Sequence, residues 1–247
     1  MEYSIVKEPM AMLELEMSDG EQITAEAGAM VYMRGDFDVK TRTRQGGVFK
    51  KIKVAALGGE WFFVNDFVAN GNCTLGLTGP PIGDITYLDV EPSRGYIVQT
   101  GAYIASTEEV DLDTKWQGFT KGLFGSEFFM LKVSGNGGLF LNAYGGIVEK
   151  HLGDGERMIV DNYHLVAFTD DIRYKVIKVA GIKTTILGGE GLATELIGPG
   201  AVYFQTKNLR EFVDFLGLDQ KQETLTSGAG RSVAGTVAGI AIKGLLR

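Results

Sequence analysis

Three glutamates stand at matching places in the chain, and carboxylates that recur at a fixed spacing are the first residues to suspect of chemistry. Glu60 closes Leu57-Gly58-Gly59-Glu60, Glu127 closes Phe124-Gly125-Ser126-Glu127, and Glu190 closes Leu187-Gly188-Gly189-Glu190. If one axis relates the three segments, the carboxylates converge and could hold a hard cation through oxygen ligands. The competing reading is structural: a carboxylate beside a glycine turn accepts hydrogen bonds from the turn amides. Duplication repeats structural residues as faithfully as functional ones, so these glutamates read as structural, and no metal is expected.

The other reactive side chains are few. Cys73 is the only thiol, and His151 and His164 are the only histidines. A cysteine nucleophile needs a base beside it. Cys73 instead lies in an alternating apolar run, where a cysteine behaves as a small core residue. His164 takes the place that Ala29 and Ala102 hold in two similar segments. A single cysteine excludes an internal disulfide and any multi-thiolate metal site. No glycine cluster sits in the strand–glycine–helix context of a phosphate loop. The sequence therefore predicts no catalytic residue and no cofactor. An enzyme would instead need a cleft that gathers Asp84, Asp89 and Glu91 or the repeated glutamates.

One charged stretch stands out. Residues 40–53 carry Lys40, Arg42, Arg44, Lys50, Lys51 and Lys53 with no acid among them, while the whole chain has a formal charge of −7. The net charge opposes a general nucleic-acid binder, but a local basic patch can contact RNA, anionic lipid or an acidic partner. Phe49 is the only aromatic available there for base stacking.

These residues must be positioned by strands. Three segments align without gaps: Ile23 to Tyr32, Tyr96 to Ala105, and Met158 to Ala167. Each is followed by an alternating run, Phe37-Asp38-Val39, Val110-Asp111-Leu112 and Ile172-Arg173-Tyr174, the pattern of strands with one buried face. Past each glutamate comes a turn dipeptide, Asn70-Gly71, Asn136-Gly137 or Pro199-Gly200. The Asn-Gly pairs predict tight hairpins, and Pro-Gly predicts a type II turn. With 35 glycines against 5 prolines, the chain reads as turn-dense β structure.

The expectation is an all-β domain over residues 1–207 made of three pseudo-repeats, at about 10–83, 84–146 and 147–207. Each would be an antiparallel β-sandwich unit, packed with pseudo-threefold symmetry around a shared core; a solenoid is the alternative. Asn208-Leu209-Arg210-Glu211 has capping-box spacing and opens a short docked helix over 208–217. A Gly/Ala-rich tail over 218–247 carries Gly235 and Gly239 in the spacing that lets helices approach closely. The tail also offers peripheral membrane contact, although its apolar core is too short to span a bilayer. The start of the chain has no secretory pattern, and the expected location is the cytoplasm.

Laid out in this way, the chain resembles the family of altered inheritance of mitochondria protein 24, with its bacterial and archaeal members. The motifs are Glu26-Ala27-Gly28-Ala29-Met30, Gly79-Pro80-Pro81-Ile82-Gly83-Asp84, the Gly-Gly-Glu openings, and Gly198 through Thr206. The resemblance covers about residues 10–207. It implies a fold like that of the tryptophan RNA-binding attenuation protein, and a biochemical role that is unassigned. The functional expectation is a non-enzymatic scaffold or interaction protein, partnered by its own copies or by other proteins. The alternative is a small-ligand or RNA-binding module that uses the basic segment.

Overall fold

The structure, a computed structural model, describes residues 1–6, 10–43, 63–113, 130–178 and 192–216. The first stretch folds into β1 (Glu2–Val6), β2 (Met12–Met17), β3 (Gln22–Glu26), β4 (Met30–Thr43) and β5 (Phe63–Leu77). The second gives β6 (Ile85–Val90), β7 (Tyr96–Gln99), β8 (Tyr103–Thr107), β9 (Val110–Asp113), β10 (Met130–Gly135) and β11 (Gly137–Asn142). The third gives β12 (Ile147–Leu152), β13 (Arg157–Asp161), β14 (Leu165–Thr169), β15 (Arg173–Lys178), β16 (Leu192–Ile197) and β17 (Gly200–Gln205). A helix, α1 (Leu209–Phe215), follows. The chain is all-β with a short C-terminal helix. Alternation decides the strands: in β2, Leu13, Leu15 and Met17 are buried while Glu16 faces water.

Pairing within each stretch follows one scheme. β2 lies antiparallel to the second half of β5, β6 to β11, and β12 to β17. On their other side, β5, β11 and β17 pair with β4, β8 and β14. Each of these three ladders shifts register at a corresponding place: between Met30 and Tyr32, opposite Phe140 and Leu141, and between Leu165 and Ala167. Such a bulge bends the strand and increases its local twist.

The stretches are sewn together by two further ladders. β3 pairs with β8, joining first to second, and β7 pairs with β14, joining second to third. The resulting sheets run β1-β2-β5-β3-β8-β11-β6, with β4 also on β5, then β12-β17-β14-β7-β10-β9, and finally β13-β16-β15. Threefold closure would need a third such ladder, between β13 and β4. Among the described residues β13 pairs only with β16, and β4 only with β5, so a threefold relation does not follow from these ladders.

The core also departs from expectation. Buried residues form three clusters rather than one shared core. The first is drawn from the first stretch, including Leu13, Leu15, Ile23, Phe67 and Leu75, and borrows Ile104 and Phe140 from the second. The second centres on Tyr103, Leu131, Leu139 and Leu141. The third holds Leu165, Phe168, Leu196 and Val202 with Ile97 and Met130 of the second stretch. No residue of the first stretch enters the third cluster, while the second takes in Val64 of the first stretch and Val166, Ala167, Ala201 and Tyr203 of the third. The ladders between stretches bring apolar side chains across with them, so each core is completed by residues of a neighbouring stretch.

The three turn dipeptides are not hairpins. β5 runs through Asn70-Gly71 without a break, pairing first with β3 and then with β2. β10 and β11 belong to different sheets, as do β16 and β17. The second and third dipeptides are corners that carry the chain from one sheet to the next, whereas at the first β5 stays in one sheet and changes partner from β3 to β2. Gly137 and Gly200 take φ of 141° and 145°, and at Gly200 that is well away from the roughly +80° of the type II turn expected there. Both corners are tied alike: Thr107 Oγ1 accepts from the Gly138 amide at 3.0 Å, and Thr169 Oγ1 from the Ala201 amide at 3.1 Å.

The Gly79-to-Asp84 motif joins the first two stretches and is clasped by the linker between the second and third. The Asp84 amide donates to the Gly145 carbonyl at 2.8 Å, the Ala143 amide to the Asp84 carbonyl at 3.0 Å, and the Gly145 amide to the Ile82 carbonyl at 2.9 Å. The compact unit runs Met1–Phe212, and a second unit begins at Val213. At the start of α1, Asn208 Oδ1 accepts from the Arg210 amide at 2.9 Å, the expected N-cap, and Phe212 packs on Tyr144 with ring centroids 5.7 Å apart.

Candidate functional site

Seven of the residues singled out from the sequence lie outside the described residues: Glu60, Glu127, Glu190, Arg44, Lys50, Lys51 and Lys53. Lys40 is described and exposed on β4, opposite Asp66 of β5, and the Arg42 backbone pairs with Val64. Cys73 is buried in the first core, and its thiol donates to the Asp36 carbonyl at 3.0 Å, the bond of a packed thiol. His164 Nδ1 lies 2.8 Å from the Gln205 carbonyl. Asp84 and Asp89 are engaged separately. Asp84 Oδ1 accepts from the Ile85 amide, and Asp89 Oδ1 accepts from the Tyr87 hydroxyl at 2.6 Å. Among the described residues no group of three or more His, Cys, Asp and Glu side chains is placed to hold a metal ion.

The polar grouping that the fold does create is elsewhere. Glu149 and His151 share one face of β12 because they are two residues apart, and Tyr203 of β17 stands directly opposite Glu149. The Tyr203 hydroxyl donates to Glu149 Oε1 at 3.0 Å, and His151 Nε2 approaches the same oxygen at 2.9 Å. Arg94, Tyr96, Thr169, Asp171 and Gly200 complete a hollow of about 320 Å³. Burial, then the Glu149 charge, pushes the Tyr203 phenol well above its usual range. Burial raises Tyr96 likewise, and Arg94 works against that shift. Glu149 and His151 remain largely in water, so this is a solvated carboxylate–imidazole contact beside a buried phenol. Its polar atoms could meet a small polar ligand. The Glu149-to-His151 spacing was visible in the sequence; Tyr203, 54 residues away, became its neighbour only through the β12–β17 ladder.

A second feature is a strand edge. β4 and β13 each carry one edge with no ladder among the described residues, and several of their large apolar side chains are in water. Met30 is 44% exposed, Val31 50%, Met33 43%, and Ile159 of β13 42%. The residues aligned with Met30, Val31 and Tyr32 are Tyr103, Ile104 and Ala105 in β8 and Leu165, Val166 and Ala167 in β14, all fully buried.

The comparisons with known proteins agree with this architecture. An uncharacterised protein of Streptococcus pyogenes serotype M6 is 28% identical over 212 residues, spanning 83% of this chain and 85% of that protein. The crystal structure of protein SPYM3_0169 from Streptococcus pyogenes superposes with a TM-score of 0.72 at 26% identity, covering 88% of this chain and 98% of that one. Residues 3–207 match the family described as mitochondrial biogenesis AIM24, and the chain belongs to that family.

Proposed function

We propose that the chain is a non-enzymatic interaction protein that works by assembling through the edges of its β structure. The observation that supports this reading is the edge of β4, which offers Met30, Val31, Met33 and Val39 to solvent beside backbone groups that form no ladder among the described residues. Such an edge is a template for another strand, and soluble proteins ordinarily blunt it with charge, proline or a covering segment. Exposed apolar side chains gathered in one place mark interaction surfaces. Measuring the solution mass of the full chain over a wide concentration range tests the reading. It predicts species heavier than one chain, and Val31→Lys should shift them toward the single chain. A single-chain mass at every concentration, together with no partner lost on Val31→Lys, would count against it.

Binding of RNA or a small acidic ligand by residues 40–53 is the alternative. Lys40, exposed on β4, supports it, and salt-sensitive RNA binding that falls when Lys50, Lys51 and Lys53 are made neutral would favour it.

A further inference from the structure

We infer that the free edge of β13 in one molecule pairs with the free edge of β4 in a second copy of this chain, head to tail. The inference rests on the assembly reading above and names its interface. The two ladders that join successive stretches supply the template. In one, Ile23 lies opposite Thr107, Thr24 opposite Ser106 and Ala25 opposite Ala105. In the other, Tyr96 lies opposite Thr169, Ile97 opposite Phe168 and Val98 opposite Ala167. The gapless alignment of the segments makes these two registers the same. Applied to the remaining pair of edges, that register sets Met158 opposite Arg34, Ile159 opposite Met33 and Val160 opposite Tyr32.

Three observations point to a copy of the chain as the occupant. The two edges are the donor and acceptor of a joint the fold already makes twice, so they are complementary by construction. β4 carries the same register shift as β8 and β14, which shapes those strands for the joint. Met33 and Ile159, which the template puts face to face, are both apolar and both left in water. Pairing would extend β13-β16-β15 with β4-β5-β2, giving the strand order that the second and third stretches share within one chain. The joint is heterologous, because each molecule gives one edge and receives on the other.

Charge substitution at the facing pair tests both the joint and its register. Both side chains are exposed, so Met33→Lys and Ile159→Lys leave the cores intact, and unchanged thermal unfolding verifies this. In sedimentation experiments on the full chain, the double Met33→Lys/Ile159→Lys variant should associate about tenfold more weakly or worse, because like charges are then opposed across the joint. Met33→Lys/Ile159→Glu should recover most of the loss, because opposite charges now face each other. Association of wild-type strength in the double-lysine variant would overturn the inference while leaving assembly by another surface standing. A wild-type chain that never associates would overturn the inference together with that reading as it concerns copies of this chain.

Discussion

Gly83 shows how little tolerance the family motif has. A Cβ built there would come within 2.3 Å of the carbonyl oxygens of Ala143 and Gly145, backbone atoms that cannot turn aside. Gly83→Ala should therefore cost about 1–3 kcal/mol through forced backbone movement, read as a lower thermal midpoint with the fold retained. Gly79 is held by a side chain instead: the Asn142 amide occupies the space its Cβ would need. The sequence marked this motif without disclosing its purpose, because Asn142, Ala143 and Gly145 lie about sixty residues away and only the fold brings them near. A second residue-level prediction concerns Tyr87, whose phenol is pushed from 10.0 up to about 12, first by burial and then by its hydrogen bond to Asp89. Its folded value lies above its unfolded one, so the stability it contributes is complete below pH 10 and is lost as pH rises toward about 12. Phenolate absorbance on alkaline titration should show several late-titrating tyrosines, Tyr96 and Tyr203 among them, and Tyr87→Phe should remove one, the step near pH 12.

At the scale of elements, alternation was a sound guide and turn chemistry was not. Leu13, Leu15 and Met17 announced β2 because one face of that strand is dry and the other wet. β14 is buried on both faces, yet its alignment with the other segments still located it. The corners were misread because a hairpin and a corner make the same local demand, positive φ. They differ only in which distant strand the next residue meets. What ties the corner is a threonine at the end of the strand that pairs beyond it, β8 or β14. Thr169→Val keeps the shape but leaves the buried Ala201 amide unpaired, at a cost of about 1–3 kcal/mol in denaturant unfolding. Thr107→Val should weaken the Gly138 corner in the same sense. The helix was legible for the opposite reason: its cap, Asn208 accepting from the Arg210 and Glu211 amides, is wholly local.

For the whole molecule, the segment alignment led to three similar stretches but could not say how they would be joined. The structure divides the buried residues among three clusters, the second of them drawn from all three stretches, and two ladders join the stretches in a row. Whether such a row closes is decided by its two ends, where Met33 and Ile159 stand in water while their counterparts in β8, β14, β3 and β7 are covered. The hollow around Glu149, His151 and Tyr203 was hidden for a similar reason, since it exists only where β12 meets β17. The most direct test joins the two ends covalently. Directly opposed residues of an antiparallel ladder lie about 4.5–5.5 Å apart at Cα, within disulfide reach. With Cys73 replaced by alanine, one preparation would carry only Met33→Cys and another only Ile159→Cys. Mild oxidation of the mixture should give a disulfide-linked pair of chains in a yield well above that of either preparation alone. No excess of linked chains in the mixture, or a link formed within one chain when both cysteines are placed on it, would contradict head-to-tail pairing of separate molecules.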